Sequence, residues 1–370
     1  MSRQRYVLLF GLLITFFSSA QDNLPFNTEE ISRFDEPWSM AFLPDGRMLV
    51  TEKKGRLTIV TQQGEKSSPV GGMPDVDYGG QGGLGDVALH PDFANNKLVY
   101  ISYAEAGVGG VRGAAVARGT LVEDGRSPQL QNLQVIWRQY PKVLGYGHYG
   151  HRLLFDNNGY LWISSGDRQK FTPAQDMQSS MGKILRLHDD GSVPKDNPFV
   201  NRAGAKPEKF TLGNRNVQGV AIHPKTGEVW THEHGPQGGD EINIIKPARN
   251  YGWPIITHGV NYGTGTKIGE GTAKAGLEQP LYVWVPSIAP SGMAFYKGSV
   301  FANWNNNVFI GALRAETLVR IELSGDKVVH EERLLKGSIG RIRDVRLGPD
   351  QFIYLLTDER AGGLYRLEPQ

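Results

Sequence analysis

Six stretches of the chain share one alternation of apolar and polar positions. Each is a short apolar strand, a turn rich in Pro, Asp, Asn or Gly, and a second strand. The copies read MAFLPDGRMLVTE from Met40, VALHPDFANNKLVYISY from Val87, LLFDNNGYLWISSGD from Leu153, VAIHPKTGEVWTHEH from Val220, MAFYKGSVFANWNNNVFIGAL from Met293 and VRLGPDQFIYLLTDE from Val345. An apolar first strand is what burial between two sheets requires, and the turn residues suit hairpins. Copies begin about 47 to 73 residues apart, against ~40 to 50 for minimal blades, so several carry long loops, where function concentrates. The pattern predicts an all-β chain folded as a six-bladed β-propeller. A two-sheet sandwich is the alternative, but it has no reason to repeat one hairpin signature six times. The last strand, GGLYRLEP, is expected to share its blade with an N-terminal strand near Glu30 to Phe34 and so close the ring.

Composition narrows the setting. Arg3 and Arg5 precede an apolar run from Tyr6 to Phe17 and then Ser18, Ser19 and Ala20, the pattern of a signal peptide over residues 1–20. The run has about a dozen residues, short of the ~20 that span a bilayer, and nothing later is longer or more apolar. Residues 21–370 are therefore expected to form one soluble catalytic propeller in the bacterial periplasm. With no cysteine, the chain forgoes disulfides and a lipidated cysteine anchor. The 40 basic and 38 acidic residues give +2, and without Arg3 and Arg5 the balance is 38 against 38. A neutral mature chain argues against nucleic acid or an anionic membrane as a partner.

Arginines stand where strands leave the repeat. In GRIRDV, Arg341 and Arg343 are two apart, which on a strand aims both at one face. Arg215 lies in LGNRNVQG, Arg152 in HYGHRLLFD and Arg314 in GALRAET. One arginine alone is usually a solvated surface residue, but several converging at one end of a propeller are costly unless an anion neutralises them. His148 precedes the third repeat, and Asp167 follows that repeat's second strand, so the hairpin brings both to one rim. A carboxylate beside an imidazole fixes its tautomer and prepares a general base. His151 competes for the same role. The segment HEHGPQGGDEIN, residues 232–243, raises zinc through His232 and His234, although no third ligand is evident. A hard cation held by backbone carbonyls and Glu241 suits its glycine-rich, oxygen-rich character better, and a plain loop capped by Asp240 is the bland reading. Trp284 is a candidate sugar platform or a core residue.

The motifs GQGGLGDV, GHYGHRL, LGNRNVQG, HEHGPQGGDEIN, NYGWP, SGMAFY, GALR and GRIRDV together resemble the soluble, pyrroloquinoline-quinone-dependent aldose sugar dehydrogenases of Gram-negative bacteria. The likeness covers nearly the whole mature chain. It implies that Gln81, Arg215, Asn216, Tyr262, Arg314, Arg341 and Arg343 contact the quinone, with Ala312 and Leu313 near it. The three carboxylates of that cofactor would account for the arginines. It further implies His148 as general base and Asp167 as its orienting acid. The carbonyls of Gly235 and Pro236 match those that hold the cation polarising the quinone, while Glu241 and Tyr251 match a calcium site beside it. The reaction so implied takes a proton from the anomeric hydroxyl of an aldose and a hydride from C1, gives an aldonolactone, and hands electrons to an acceptor that the sequence does not identify. Gly147, Val217 and Arg168 depart from the pattern, at positions that bear on sugar preference and tuning.

Two other functions compete. A calcium-dependent lactonase or esterase propeller would place a metal in the central channel and needs no arginine cluster. A non-catalytic binding propeller would be expected to lack the base or the arginines, yet His148, Arg215, Arg341 and Arg343 are all present.

Overall fold

The computed structural model describes residues 24–370, so the signal peptide expected at residues 1–20 lies outside the described residues. Six antiparallel sheets follow one another along the chain. Their innermost strands are Pro37–Phe42, Leu84–Leu89, Gly150–Phe155, Val217–Ile222, Pro290–Phe295 and Ile342–Leu347, which define blades 1 to 6. Each carries one of the six apolar repeats, and neighbouring inner strands pack around a closed ring, blade 6 meeting blade 1. Blades 1 and 3 have three strands and the others four. The ring closes as expected: Phe26–Phe34 pairs antiparallel with Gly362–Pro369, so the N-terminal strand starts at Phe26 and is the outermost strand of blade 6. No helix among the described residues is long and apolar enough to cross a membrane.

The apolar faces of the repeats fill the seams between blades. Leu49, Leu84, Val87 and Ile101 join blades 1 and 2, and Tyr100, Val116, Leu153 and Ile163 join blades 2 and 3. Burying one such side chain is worth roughly 1.5 to 3 kcal/mol, which a lone hairpin exposed on both faces could not collect. Every inner strand also breaks register near its first residues, for example between Pro37 and Ser39, Val217 and Gly219, and Ile342 and Asp344. Such bulges re-aim side chains. Here they turn Trp38, Gln218 and Arg343 toward the space at the ends of the inner strands.

Deeper in the channel two arginines meet two aspartates. Arg152 Nη1 lies 2.8 Å from Asp344 Oδ1, Arg346 Nη2 lies 2.7 Å from Asp86 Oδ1, and Arg346 Nε lies 2.9 Å from Asp344 Oδ2. Backbone N–H groups of Met40 and Leu153 donate to the same carboxylates. The cluster is buried, charge-balanced and shared by blades 1, 2, 3 and 6. Arg152 is thus neutralised within the protein, which removes it from the arginines that call for an external anion.

Candidate active site

His148 stands two residues before the inner strand of blade 3. Its backbone is left-handed, φ +50°, a conformation that costs about 1 to 3 kcal/mol for a non-glycine residue and persists only where the surroundings over-determine it. The surroundings do so: its N–H donates to Gln81 Oε1 at 2.8 Å and its carbonyl accepts the N–H of Arg168 at 3.2 Å. The ring is buried, with Nδ1 2.6 Å from Asp167 Oδ1. Asp167 follows Leu161–Ser165, the strand paired with the inner strand, so hairpin formation brings the two groups together. The indole N–H of Trp253 donates to Asp167 Oδ2 at 2.8 Å, and the N–H of Gln169 to Oδ1 at 2.9 Å. A carboxylate fixed in this way sets Nδ1 as the protonated nitrogen and leaves Nε2 for the cavity that the ring lines. Burial lowers the pKa of His148 from its ordinary 6.5, the Asp167 bond opposes this, and Arg215 and Arg168 reinforce it. The ring is therefore neutral at pH 7 and able to accept a proton.

His151 is a different kind of histidine. Its ring stacks on Tyr149 at 5.2 Å and meets Trp38 edge-on at 5.8 Å. Neither nitrogen has a hydrogen-bond partner, and burial pulls its pKa down to about 3. The carboxylate selects His148.

Two adjoining cavities share Gln81 and His234. The first, about 350 Å³, is lined by His148, Asp167, Arg215, Gly235, Pro236 and the exposed ring of Tyr262. The second, about 340 Å³, is lined by Asn216, Leu313, Arg341, Arg343, Lys53 and Asp358. Arg341 and Arg343 do converge, and Asp358 sits between them, 2.9 Å from each. Against the upward push of burial, the two guanidiniums hold the Asp358 carboxyl down to about 2. Two arginines on one carboxylate leave a positive charge over. Lys53, 3.9 Å from Glu36, and Arg215, whose Nη1 donates to the carbonyls of His234 at 3.0 Å and Gly235 at 2.7 Å, add to it. The expectation that these arginines lack any internal counter-charge is corrected by Asp358, but the walls remain net positive and suit an anion. Ala312 is buried at the end of its strand and Arg314 is exposed, and neither lines either cavity.

Beside Arg215 a void of about 20 Å³, large enough for one small ion, is lined by Gly235, Glu241, Tyr251 and Glu233. Glu233 and Glu241 are direct partners across neighbouring strands of blade 4. Burial and, for Glu241, the facing Glu233 raise both carboxyls well above the usual range. A buried and a half-buried carboxylate facing each other at one small void suit a divalent cation. The Tyr251 hydroxyl is committed, donating to the Ile244 carbonyl at 2.6 Å and accepting the N–H of Lys246. Pro236 lies on the larger cavity instead, its carbonyl accepting the Tyr262 hydroxyl at 2.9 Å.

Two other expectations are settled by packing. His234 Nε2 bonds the Pro290 carbonyl at 2.6 Å, and among the described residues no three His, Asp or Glu side chains gather around the imidazoles of His232 and His234 as a metal-ligand set. Trp284 is buried, its indole N–H donating to Glu331 Oε2 at 2.8 Å, which makes it a core residue rather than a sugar platform.

Residues 34–366 match the profile of the Glucose / Sorbosone dehydrogenase family. The chain belongs to that family. The aldose sugar dehydrogenase of Escherichia coli is 44% identical over 341 residues, 91% of each chain. The crystal structure of the soluble aldose sugar dehydrogenase from Escherichia coli in its apo form superposes with a TM-score of 0.90 at 44% identity, covering 93% of this chain and all of that one. The PQQ-bound form of aldose sugar dehydrogenase from Streptomyces coelicolor does so with a TM-score of 0.77 at 28% identity, covering 93% of this chain and 98% of that one. As a member of the glucose/sorbosone dehydrogenase family the chain is an oxidoreductase.

Three residues of the site carry no sequence signal of their own: Lys53, Glu233 and Asp358. All stand at or just beyond the end of the second strand of a repeat, in VTEK, WTHE and LLTD. Asp167 holds the corresponding place in blade 3, so aligning the repeats on that end is the signal that could have found the other three.

Proposed function

We propose that the protein oxidises aldoses at C1 to aldonolactones, in the periplasm, with pyrroloquinoline quinone and calcium. The observation that carries this reading is a buried His148–Asp167 pair facing a cavity that adjoins a net-positive chamber. The residues present fit both groups: Arg341, Arg343, Arg215 and Asn216, with Gln81, Leu313 and Tyr262 at the walls, would hold a tricarboxylate. Gly235 and Tyr251 through their backbone carbonyls, and Glu241 with Glu233 through their carboxylates, would hold a calcium ion, with the Pro236 carbonyl alongside. When bound, the quinone supplies a two-electron oxidant for the hydrogen leaving C1 as hydride, and calcium supplies Lewis-acid charge.

The protein's own share is orientation, charge and one proton. His148 Nε2 takes the proton of the anomeric hydroxyl, and the C1–O bond gains carbonyl character as that proton leaves. Asp167 keeps Nδ1 protonated and steadies the imidazolium that forms, while Trp253 and Gln169 keep Asp167 from turning away. Arg215, against Trp253 at 5.0 Å and bonded to two carbonyls, is held in place before any ligand arrives. Turnover requires an external electron acceptor. The export proposal is supported by the Arg3 to Ala20 pattern.

Reconstitution tests the proposal. Purified protein given quinone and calcium should acquire the cofactor's absorbance and reduce an artificial acceptor on addition of aldoses. Lactone hydrolysis without quinone uptake would favour the calcium-dependent lactonase instead.

A further inference from the structure

Four residues in the seven positions from Gly145 to His151 carry an unusual backbone: His148, Gly150 and His151 are left-handed, with φ of +50°, +80° and +78°, and Gly145 upstream has φ +104°. A segment in this state needs external restraints. One side chain supplies most of them. Arg168 is 1% exposed, and its Nε donates to the Gly147 carbonyl at 2.7 Å, its Nη1 to the Arg112 carbonyl at 2.6 Å and its Nη2 to the Gly145 carbonyl. Its own N–H donates to the His148 carbonyl at 3.2 Å, and its guanidinium lies 3.8 Å over the Tyr149 ring. No carboxylate pairs with it among the described residues. A buried cation would ordinarily take a carboxylate, since desolvation is otherwise poorly offset. Here all the donors that it uses go to backbone carbonyls, three of them in the loop from Gly145 to His148.

Arg168 directly follows Asp167. Two consecutive residues therefore grip the same loop, Asp167 through the His148 ring and Arg168 through the main chain beneath it. We propose that Arg168 is a positioning residue for the base, pinning the 145–149 loop so that the imidazole meets Asp167 on one side and the cavity on the other. The inference rests on the reading of His148 as the base. Arg168 lines neither of the two cavities of the site, so it acts through His148 rather than by contact with sugar or cofactor. A guanidinium suits the task because its planar fork reaches three carbonyls, whereas a lysine ammonium on its flexible stem cannot span all three. The charge bears on the ring as well: Asp167, Arg215, Arg168 and, across the cavity, His234 are the charged and titratable groups facing His148.

The test uses full-length protein reconstituted with quinone and calcium, comparing Arg168→Met, Arg168→Lys and His148→Gln. Arg168→Met should bind quinone and hold its sugar KM within about threefold of wild type, while kcat falls ~10- to 100-fold, the scale of losses from groups that orient a reacting side chain. Its rising limb of kcat/KM should move to higher pH, because a cation facing His148 is gone. Arg168→Lys keeps the charge and some of the bonds, so it should recover part of kcat and keep the wild-type limb. Wild-type kcat in Arg168→Met, or a loss of quinone binding that accounts for all of its lost rate, would overturn the proposal. If Arg168→Met does not fold, Arg168→Lys decides: wild-type kcat there overturns it, and kcat at least threefold lower with unchanged quinone affinity supports it. Full turnover in His148→Gln would instead sink the base assignment itself, whatever the arginine variants do.

Discussion

Glu233 and Glu241 face each other as directly paired residues of neighbouring strands in blade 4, the first buried and the second half-buried, at a void of about 20 Å³. Like charges in that position repel, and both carboxyls resist ionisation until something positive joins them. Calcium should therefore be tightly linked to folding of the blade 4 loop. Exhaustive chelation is expected to abolish turnover and lower the melting temperature, with calcium restoring both. Glu241→Gln should need about tenfold more calcium or more for the same shift. Unaltered calcium dependence of the melting temperature in Glu241→Gln would remove that residue from the site.

Arg343 is expected to matter for the quinone more than for the sugar. Its charge-assisted contact with a carboxylate is worth roughly 1.5 to 3 kcal/mol, so Arg343→Ala should raise the cofactor concentration needed for half-reconstitution at least tenfold. Sugar KM, measured at saturating quinone, should stay near wild type. A titration by quinone absorbance checks the first, and an unchanged curve would contradict the assignment.

Asp358 adds a pH signature. Its carboxyl is held from 3.8 down to about 2 in the folded protein by Arg343 and Arg341, against burial. A depressed folded pKa contributes stability that is present above the unfolded value and lost as pH falls from about 4 to about 2. The difference is worth about 2 kcal/mol. Denaturant unfolding followed between pH 5 and pH 2 should accordingly show a shallower acid loss in Asp358→Asn than in wild type. Parallel curves would mean that the arginines do not hold this carboxylate.

The contrast between Arg152 and Arg343 shows what a reader of the chain alone can and cannot see. The six blades are legible because a strand buried on both faces must be continuously apolar, and a propeller repeats that need six times. The Asp167–His148 meeting is legible too, since one hairpin joins them. The counter-charges of Arg152 are not, because Asp86 and Asp344 reach it from blades 2 and 6 and nothing local in GHRLLFD records them. Asp358 joins Arg341 and Arg343 across one hairpin, as Asp167 joins His148, so its place was open to the same argument once the repeats are aligned on the end of the second strand. Trp284 misleads as Arg152 does, because a tryptophan near a loop looks the same whether its indole meets a sugar or Glu331. The choice between His148 and His151 depends on which ring turns toward Asp167, and that is set by three left-handed residues whose restraints lie in Gln81, Asn216 and Arg168.

The central claim is that His148 is the general base, and single substitutions at the two histidines test it most directly. His148→Gln, reconstituted with quinone and calcium, should bind the cofactor within about threefold of wild type and lose ~10² to 10⁴ in kcat. Asp167→Asn should lie between, and His151→Gln should keep most of its rate. The wild-type kcat/KM should rise with pH through a midpoint below the ordinary 6.5, because burial lowers the His148 pKa and the ring must be neutral to act, and that limb should vanish in His148→Gln. Near-normal kcat in His148→Gln, or equal losses at His148 and His151 accompanied by equal drops in melting temperature, would contradict the account.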